Sequence, residues 1–464
     1  MSNTQSNIFV QSIGEYIMKS TLKIKDFGPI KDVDLVLKNV NVFIGPQASG
    51  KSALAKIFTI FKSPRKFFKE IPGVGMDESH KYSKEIIVET LKLFNIDTFI
   101  KPTTEICFES EVHKISLING EVVYNSKLLN IVKHLKLLEE NYEGNRDIII
   151  DKIHSLFDHF ALFHIKASWY LKDNNLMDKQ GFATLEQTKS LDQNGVKKLI
   201  GILEEIEIEV STNAAIYIPA ERIIANIIKE SLANLLLNEV PLPKHILSFA
   251  AELEKQKTKS IDLGFIQENL KYKVENGSQK IYIDDTSFIS LEASASGIQS
   301  VIPILSFADK MRSVDHKSFV IEEPELNLFP IAQYKLIGLI ESMRWDPSID
   351  WEDLGIIHTY TTHSPYILSA LNNFLYAYKV TYNAYFEKKG SIREKEESEQ
   401  EMDKRVKSIV KASINPRSFT AYQIKDGFAT SIFDENIGLI SDNFIDESTD
   451  IINEDFDKLM DLMK

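Results

Sequence analysis

The sequence predicts an α/β fold in which a mixed sheet is interleaved with helices and interrupted by large helical insertions. Three stretches carry that expectation. Val40 to Ile44 is a short, mostly apolar strand that runs into Gly45-Pro46-Gln47-Ala48-Ser49-Gly50-Lys51-Ser52, and Leu54, Ile57, Phe58 and Phe61 follow with helical spacing. Phe319-Val320-Ile321 is a second buried-type strand, and it ends in Glu322-Glu323-Pro324-Glu325. A third apolar run, from Gly355 through Ile356 and Ile357, leads to Thr362-His363-Ser364-Pro365. Continuous apolar runs of this length mark strands covered on both faces.

The remaining elements follow in chain order. Residues 1–20 form an N-terminal extension, and residues 21–63 open the core. There Leu22 and Ile24, then Val33, Leu35 and Leu37, fall on period two, with Gly28-Pro29 turning between them. Residues 64–211 read as a mostly helical insertion. Helical spacing covers 81–98 and 127–172, and strands at 106–108, 115–118 and 122–124 enclose an Asn119-Gly120 hairpin turn. Residues 212–380 return to the core, with a strand over Ala215 to Ile218, Pro219-Ala220-Glu221-Arg222, and a largely helical stretch to about Leu270. A second hairpin, Tyr272 to Ile283, turns at Asn276-Gly277. Residues 381–464 form a C-terminal linker and small α/β segment, charge-mixed over 387–407. No internal repeat is present.

Composition narrows the class. At 464 residues, 43% hydrophobic and 26% charged, the chain is long enough for two or three compact units of ordinary globular character. The apolar runs are too short to span a bilayer, and no basic region precedes Ile8 to Val10, so a cytoplasmic protein without membrane partners is expected. The single cysteine, Cys107, excludes a disulfide framework or multi-cysteine zinc site and reads as a buried structural thiol. A net charge of −13 argues against a broadly basic nucleic-acid surface, although a local basic groove is compatible with it. Lys62, Arg65, Lys66 and Lys69 form one basic cluster, which reads as a solvated helix face.

The motifs carry chemistry. A strand–glycine-rich loop–helix unit wraps a nucleotide β-phosphate with backbone N–H groups and the positive end of the helix. Within Gly45 to Ser52, Lys51 would reach the β/γ oxygens and Ser52 would ligate Mg²⁺. At the end of the 319–322 strand, Glu322 would take the metal side and Glu323 would orient or deprotonate the attacking water. The structural alternative is that Glu322, Glu323 and Glu325 complement the positive start of the next helix. Ser294-Ala295-Ser296-Gly297-Ile298-Gln299 sets a serine and a glycine at a helix start, either a second anion site or a plain helix cap. His363, after an apolar strand, stands where it would touch a γ-phosphate; a lone histidine there is otherwise structural. His154, Asp158, His159 and His164 invite a metal reading, but only His154 and Asp158 share a helix face.

Together these motifs resemble the ABC-type P-loop ATPases of the SMC, RecF and OLD group. The resemblance rests on Phe27-Gly28-Pro29-Ile30, Gly45 to Ser52, Ile218 to Arg222, Ser294 to Gln299, Ile321 to Pro330 and Thr362 to Pro365. It implies ATP and Mg²⁺ as cofactors and a homo-oligomer of at least two subunits. In it, Ser294, Ser296, Gly297 and Gln299 of one protomer close over the nucleotide of the other. It makes Asn327 to Pro330 the D-loop, with Phe329 where many relatives have histidine, and puts Arg222 and Asn327 near the nucleotide. The C-terminal segment lacks the spaced acidic motif of the TOPRIM nuclease domain found in OLD nucleases. The chain is therefore similar to ATPase subunits of anti-phage systems of the Septu and PARIS type. That resemblance implies a sensor or scaffold that controls a separate effector, a nuclease or toxin subunit, in response to a phage protein. The alternative is a RecF- or SMC-like repair or chromosome-maintenance ATPase that binds DNA.

Overall fold

The computed structural model describes residues 20–62, 79–82, 84–110, 112–159, 167, 189–212, 215–225, 242–256, 258–308, 318–344, 357–387, 392–441 and 453–460. The first strands are β1 (Ser20–Phe27), β2 (Ile30–Leu37) and β3 (Val40–Ile44), followed by helix α1 (Lys51–Lys62). Next come β4 (Ser79–Tyr82), α2 (Lys84–Leu93), β5 (Ile100–Glu109), β6 (His113–Ile118), β7 (Glu121–Ser126), α3 (Lys127–Glu139), α4 (Tyr142–His159), α5 (Gln193–Thr212) and β8 (Ile216–Ile218). Helix α6 (Lys244–Glu254) precedes a small sheet of β9 (Ser260–Asp262), β10 (Lys271–Glu275), β11 (Ser278–Tyr282) and β12 (Phe288–Ser290). The rest comprises α7 (Ser296–Leu305), β13 (Phe319–Glu322), α8 (Pro330–Arg344), β14 (His358–Thr362), α9 (Pro365–Glu387), α10 (Ile392–Ile409), β15 (Phe419–Lys425) and β16 (Phe428–Ser431).

Twelve strands form one mixed sheet in the order β4-β7-β6-β5-β1-β2-β16-β15-β3-β14-β13-β8. Strands β15, β3, β14, β13 and β8 run parallel, while β4, β7, β6, β5, β1 and β2 pair antiparallel. The two halves meet at Gly427, whose carbonyl accepts from the N–H groups of Lys31 and Asp32 at 2.8 and 3.1 Å. Gly427 has φ +87°, and a Cβ there would lie 2.8 Å from the Pro29 carbonyl oxygen, so only glycine closes this seam without displacement.

The parallel register fixes the site. Ile44 pairs with Thr362, and Thr361 pairs with Glu322, so β3, β14 and β13 end side by side. In open parallel sheets, ligands bind beyond such carboxyl ends. Helix α1 covers one face, where Phe58 and Phe61 pack with Ile24 and Phe108, all with essentially no exposure. Helices α7, α8 and α9 cover the other, where Ile302, Leu336 and Ile367 meet Ile44, Ile321 and Tyr360. Each such side chain contributes about 1.5–3 kcal/mol by leaving water. Helices α3, α4 and α5 bury a separate cluster of their own, including Val132, Ile153 and Leu203.

The segment after 380, read as a linker and small α/β segment, joins the main sheet: β15 lies directly against β3, and Tyr422 both accepts from the Val36 N–H and donates to the Val36 carbonyl, at 2.9 and 3.0 Å. The strands inside 64–211 likewise extend the main sheet through the β1–β5 pairing. The helical reading to Leu270 stops at Glu254, because Ser260–Asp262 pairs with Lys271–Lys273. Lys62 is not on a solvated face: its ammonium donates to the Ser318 hydroxyl, and burial lowers its pKa to about 8. Arg65, Lys66 and Lys69 lie outside the described residues. Both Asn-Gly hairpins form as read, with φ +53° and +76° at Asn119-Gly120 and +51° and +80° at Asn276-Gly277. Cys107 is half-buried in β5, and burial pushes its thiol pKa up.

Candidate functional site

Residues 45–50 wrap tightly between β3 and α1. Ala48 and Gly50 take φ +59° and +105°, which turn the chain back on itself before the helix. Lys51 Nζ donates to the carbonyls of Gly45 and Pro46, each at 2.9 Å. Burial lowers the Lys51 pKa to about 8, and Glu323, Glu322 and Glu325 pull it partly back. The Lys51 ammonium is thus held inside the loop, with Glu323, Glu322 and Glu325 favouring its charged form. Ser52, one residue on, is exposed.

Glu322 ends β13 and is almost fully buried, and burial pushes its carboxyl pKa up. The charge of Lys56 opposes that shift. Its Oε1 is buried without a hydrogen-bond donor, as is the Tyr217 hydroxyl. An orphaned buried carboxylate oxygen normally costs about 1–3 kcal/mol or more. A divalent cation would satisfy it. With Ser52 it offers two protein oxygens, in keeping with Mg²⁺ sites that are completed by phosphates and water. The residues present therefore fit the metal. Elsewhere among the described residues, no three His, Cys, Asp or Glu side chains converge on a metal position. The side chains of Asp158 and His159, and all of His164, lie outside the described residues.

Glu323 leaves the strand with φ +44°, a left-handed conformation that is strained for a glutamate. Its N–H donates to the Thr361 carbonyl at 2.9 Å, and its carbonyl accepts from Arg222 Nη2 at 2.8 Å. This turn aims Oε1 toward His363, 3.6 Å from Nε2. The His363 partner lowers the Glu323 pKa, helped by Lys51 and Arg222 and opposed by burial. The carboxylate is thus held in its ionised form beside His363.

Glu325, weighed from the sequence only as helix-start charge, has a specific bond pattern. Its Oε1 accepts from the Thr362 hydroxyl at 2.7 Å and from the His363 N–H at 2.8 Å. Gln333 adds a second tie, donating to the Leu328 carbonyl at 2.8 Å and accepting from the Ser364 hydroxyl at 2.5 Å. The loop after β13 and the loop after β14 are therefore cross-linked through side chains. A third glutamate two residues beyond the Glu-Glu pair was the signal in the sequence.

The serine-glycine segment lies at the start of α7. Ser294 donates to the Leu291 carbonyl at 2.6 Å, and Gln299 Nε2 donates to the carbonyls of Glu292 and Ser294 at 3.0 and 2.9 Å. These two side chains shape the loop within the chain. Ser296 is exposed at the first helical position, where backbone N–H groups have no partner within the helix. A Cβ on Gly297 would lie 2.5 Å from the Asn327 carbonyl oxygen, so glycine lets the loop at Asn327 and Leu328 pack against the helix start. Asn327 itself takes φ +60°, and Phe329 is 74% exposed. Arg222, read from the sequence as near the nucleotide, has no solvent exposure and faces main-chain carbonyls.

A phosphate-binding loop, two glutamates and a histidine brought to adjacent strand ends define the class as a P-loop NTPase. The chain belongs to the AAA ATPase domain family, whose pattern matches residues 18–368. No curated protein matches it. Among solved structures it is similar to the Smc head domain with an extended coiled coil bound to the C-terminal domain of ScpA from Pyrococcus furiosus. Identity there is 10%, over 95% of this chain and 99% of that one, with a TM-score of 0.31. It is also similar to the SMC head domain from Thermotoga maritima, at 11% identity over 89% and 98%, TM-score 0.32. These similarities are too remote to bear on the site. Among the described residues, no helix is long and apolar enough to cross a membrane.

Proposed function

We propose that the chain hydrolyses ATP, with the nucleotide seated on Gly45 to Ser52 and Mg²⁺ held by Ser52 and Glu322. The observation that carries this is the meeting of Lys51, Glu322, Glu323 and His363 at the ends of three neighbouring parallel strands. When bound, the metal supplies charge neutralisation on the phosphates. Lys51 would exchange its loop carbonyls for β/γ oxygens, Glu323 would accept a hydrogen bond from the attacking water, and His363 would face the γ-phosphate. Hydrolysis needs little covalent chemistry from the protein and depends on this positioning.

In the same reading, two protomers share each nucleotide. Ser296 and Gly297 of one would close over the ATP on Lys51 of the other, so hydrolysis would separate them. The motif resemblance extends the proposal to a sensor or scaffold of anti-phage defence that restrains a separate effector. The test is ATP turnover by wild type and Lys51→Ala, with and without Mg²⁺ and with and without DNA. Mg²⁺-dependent turnover abolished by Lys51→Ala is expected. Equal release of phosphate by both proteins would defeat the ATPase proposal, and strong stimulation by DNA would defeat the effector-restraint reading in favour of DNA maintenance.

A further inference from the structure

Arg222 is the largest of the fully buried side chains among the described residues, with 0% exposure. A buried guanidinium is costly unless its donors are satisfied. No carboxylate lies within ion-pair distance of it among the described residues, yet all three of its nitrogens are used. Nε donates to the Ser300 carbonyl at 2.9 Å. Nη1 donates to the carbonyls of Pro219 and Glu322 at 3.2 and 2.7 Å, and Nη2 to that of Glu323 at 2.8 Å.

These acceptors belong to three separate segments. Pro219 follows β8, Glu322 and Glu323 end β13, and Ser300 lies in α7, four residues beyond Ser296. The guanidinium is a flat, rigid fork, so it fixes the relative positions of the carbonyls it bridges. Glu323 needs such fixing. Its φ of +44° is a strained conformation that persists only where neighbours over-determine it. Its N–H donates to the Thr361 carbonyl, and its own carbonyl accepts from the Leu326 N–H at 3.0 Å and from Arg222, the one side chain among these partners.

We propose that Arg222 is a positioning residue that holds the Glu323 main chain in its working conformation and ties it to the seating of α7, the helix that begins with Ser296 and Gly297. This rests on the ATPase reading above and adds a route within it. A shift of α7 on contact with the opposite nucleotide moves the Ser300 carbonyl, and the same rigid group carries the Glu323 carbonyl. The orientation of the water-binding carboxylate at one nucleotide then depends on the helix that touches the other. A direct nucleotide contact by Arg222 is incompatible with its zero exposure and with nitrogens already spent on main-chain oxygens.

The test uses full-length Arg222→Lys, which keeps the buried charge but cannot bridge the carbonyls, and Arg222→Gln, which removes the charge. Thermal unfolding, ATP affinity and kcat are measured for each against wild type. Arg222→Lys is expected to bind ATP within about twofold of wild type and to lose at least about tenfold in kcat, since small misplacements of a reacting group cost up to about 100-fold. Arg222→Gln is expected to lose kcat at least as far, with ATP affinity again within about twofold of wild type. Combined with Gly297→Ala, Arg222→Lys should lower kcat by less than the product of the single effects, since both act on one route. Wild-type kcat in Arg222→Lys, or a loss of kcat matched by an equal loss of ATP affinity, overturns the proposal. If Arg222→Gln does not fold, Arg222→Lys alone decides. Absence of turnover in the wild-type protein instead defeats the ATPase reading, which is a separate result.

Discussion

The Glu325 carboxylate holds His363 by its main chain: Oε1 accepts the His363 N–H at 2.8 Å and, at 2.7 Å, the hydroxyl of the preceding Thr362. The histidine side chain is thereby presented to Glu323 from a fixed backbone, and the Glu-Glu-Pro-Glu segment and the switch loop behave as one piece.

Glu325→Ala should uncouple them. It leaves the His363 N–H and the Thr362 hydroxyl without their acceptor, at a cost of about 1–3 kcal/mol in stability. Phosphate-release kinetics should show kcat falling with ATP affinity nearly unchanged, because Lys51 and Ser52 are untouched. A fall in affinity with kcat intact would contradict this role.

ATP affinity should weaken at alkaline pH through Lys51. Its pKa in the free protein is about 8, lowered by burial. Bound phosphates favour the ammonium form and raise that pKa, so binding above about pH 8 must take up a proton. Affinity is then insensitive to this group below pH 8 and falls as pH rises above it, by at most about tenfold per unit. Titration calorimetry in buffers of different ionisation enthalpy reads the proton uptake directly.

Gly45→Ala should destabilise the junction between the P-loop and the C-terminal strand. A Cβ at Gly45 would lie 2.2 Å from the Ile424 carbonyl oxygen and 2.8 Å from the Ser49 hydroxyl. Main-chain atoms must shift, at about 1–3 kcal/mol for this kind of overpacking. Thermal unfolding and ATP binding should both deteriorate, whereas Glu325→Ala loses stability with ATP affinity nearly unchanged.

Subunit mixing examines the shared-nucleotide arrangement. A Ser296→Arg protomer has an intact P-loop, and a Lys51→Ala protomer has an intact α7 start. Each alone should be inactive, and their mixture should recover turnover from one complete composite site. No recovery on mixing would place Ser296 and Lys51 at the same nucleotide.

What was legible in the sequence was local. Gly45 to Ser52 sits between a strand and a helix, Phe319 to Glu322 is a buried strand, and the two Asn-Gly turns demand positive φ; each is decided by neighbours in the chain. What was not legible depended on partners far away. Phe419–Lys425 carries no motif, and its place against β3 is settled by the match of Phe419 to Val40 and Gln423 to Ile44 across nearly 380 residues. Arg222 was placed near the nucleotide through its resemblance to the arginine of a Pro-containing loop, without a contact being specified. Only the fold shows that its nitrogens are taken by carbonyls from β13 and α7. Glu325 was hidden because the same residue type also suits a helix start.

The most direct measurement is a comparison of Glu323→Gln with wild type in Mg²⁺–ATP, following hydrolysis and particle mass together. The neutral amide keeps the shape of the carboxylate and removes its power to polarise water. Glu323→Gln should bind ATP, release phosphate at least about 100-fold more slowly, and accumulate as an ATP-bound dimer. Wild-type phosphate release by Glu323→Gln would contradict the role of Glu323, and a monomer with ATP bound and unhydrolysed would contradict the shared site.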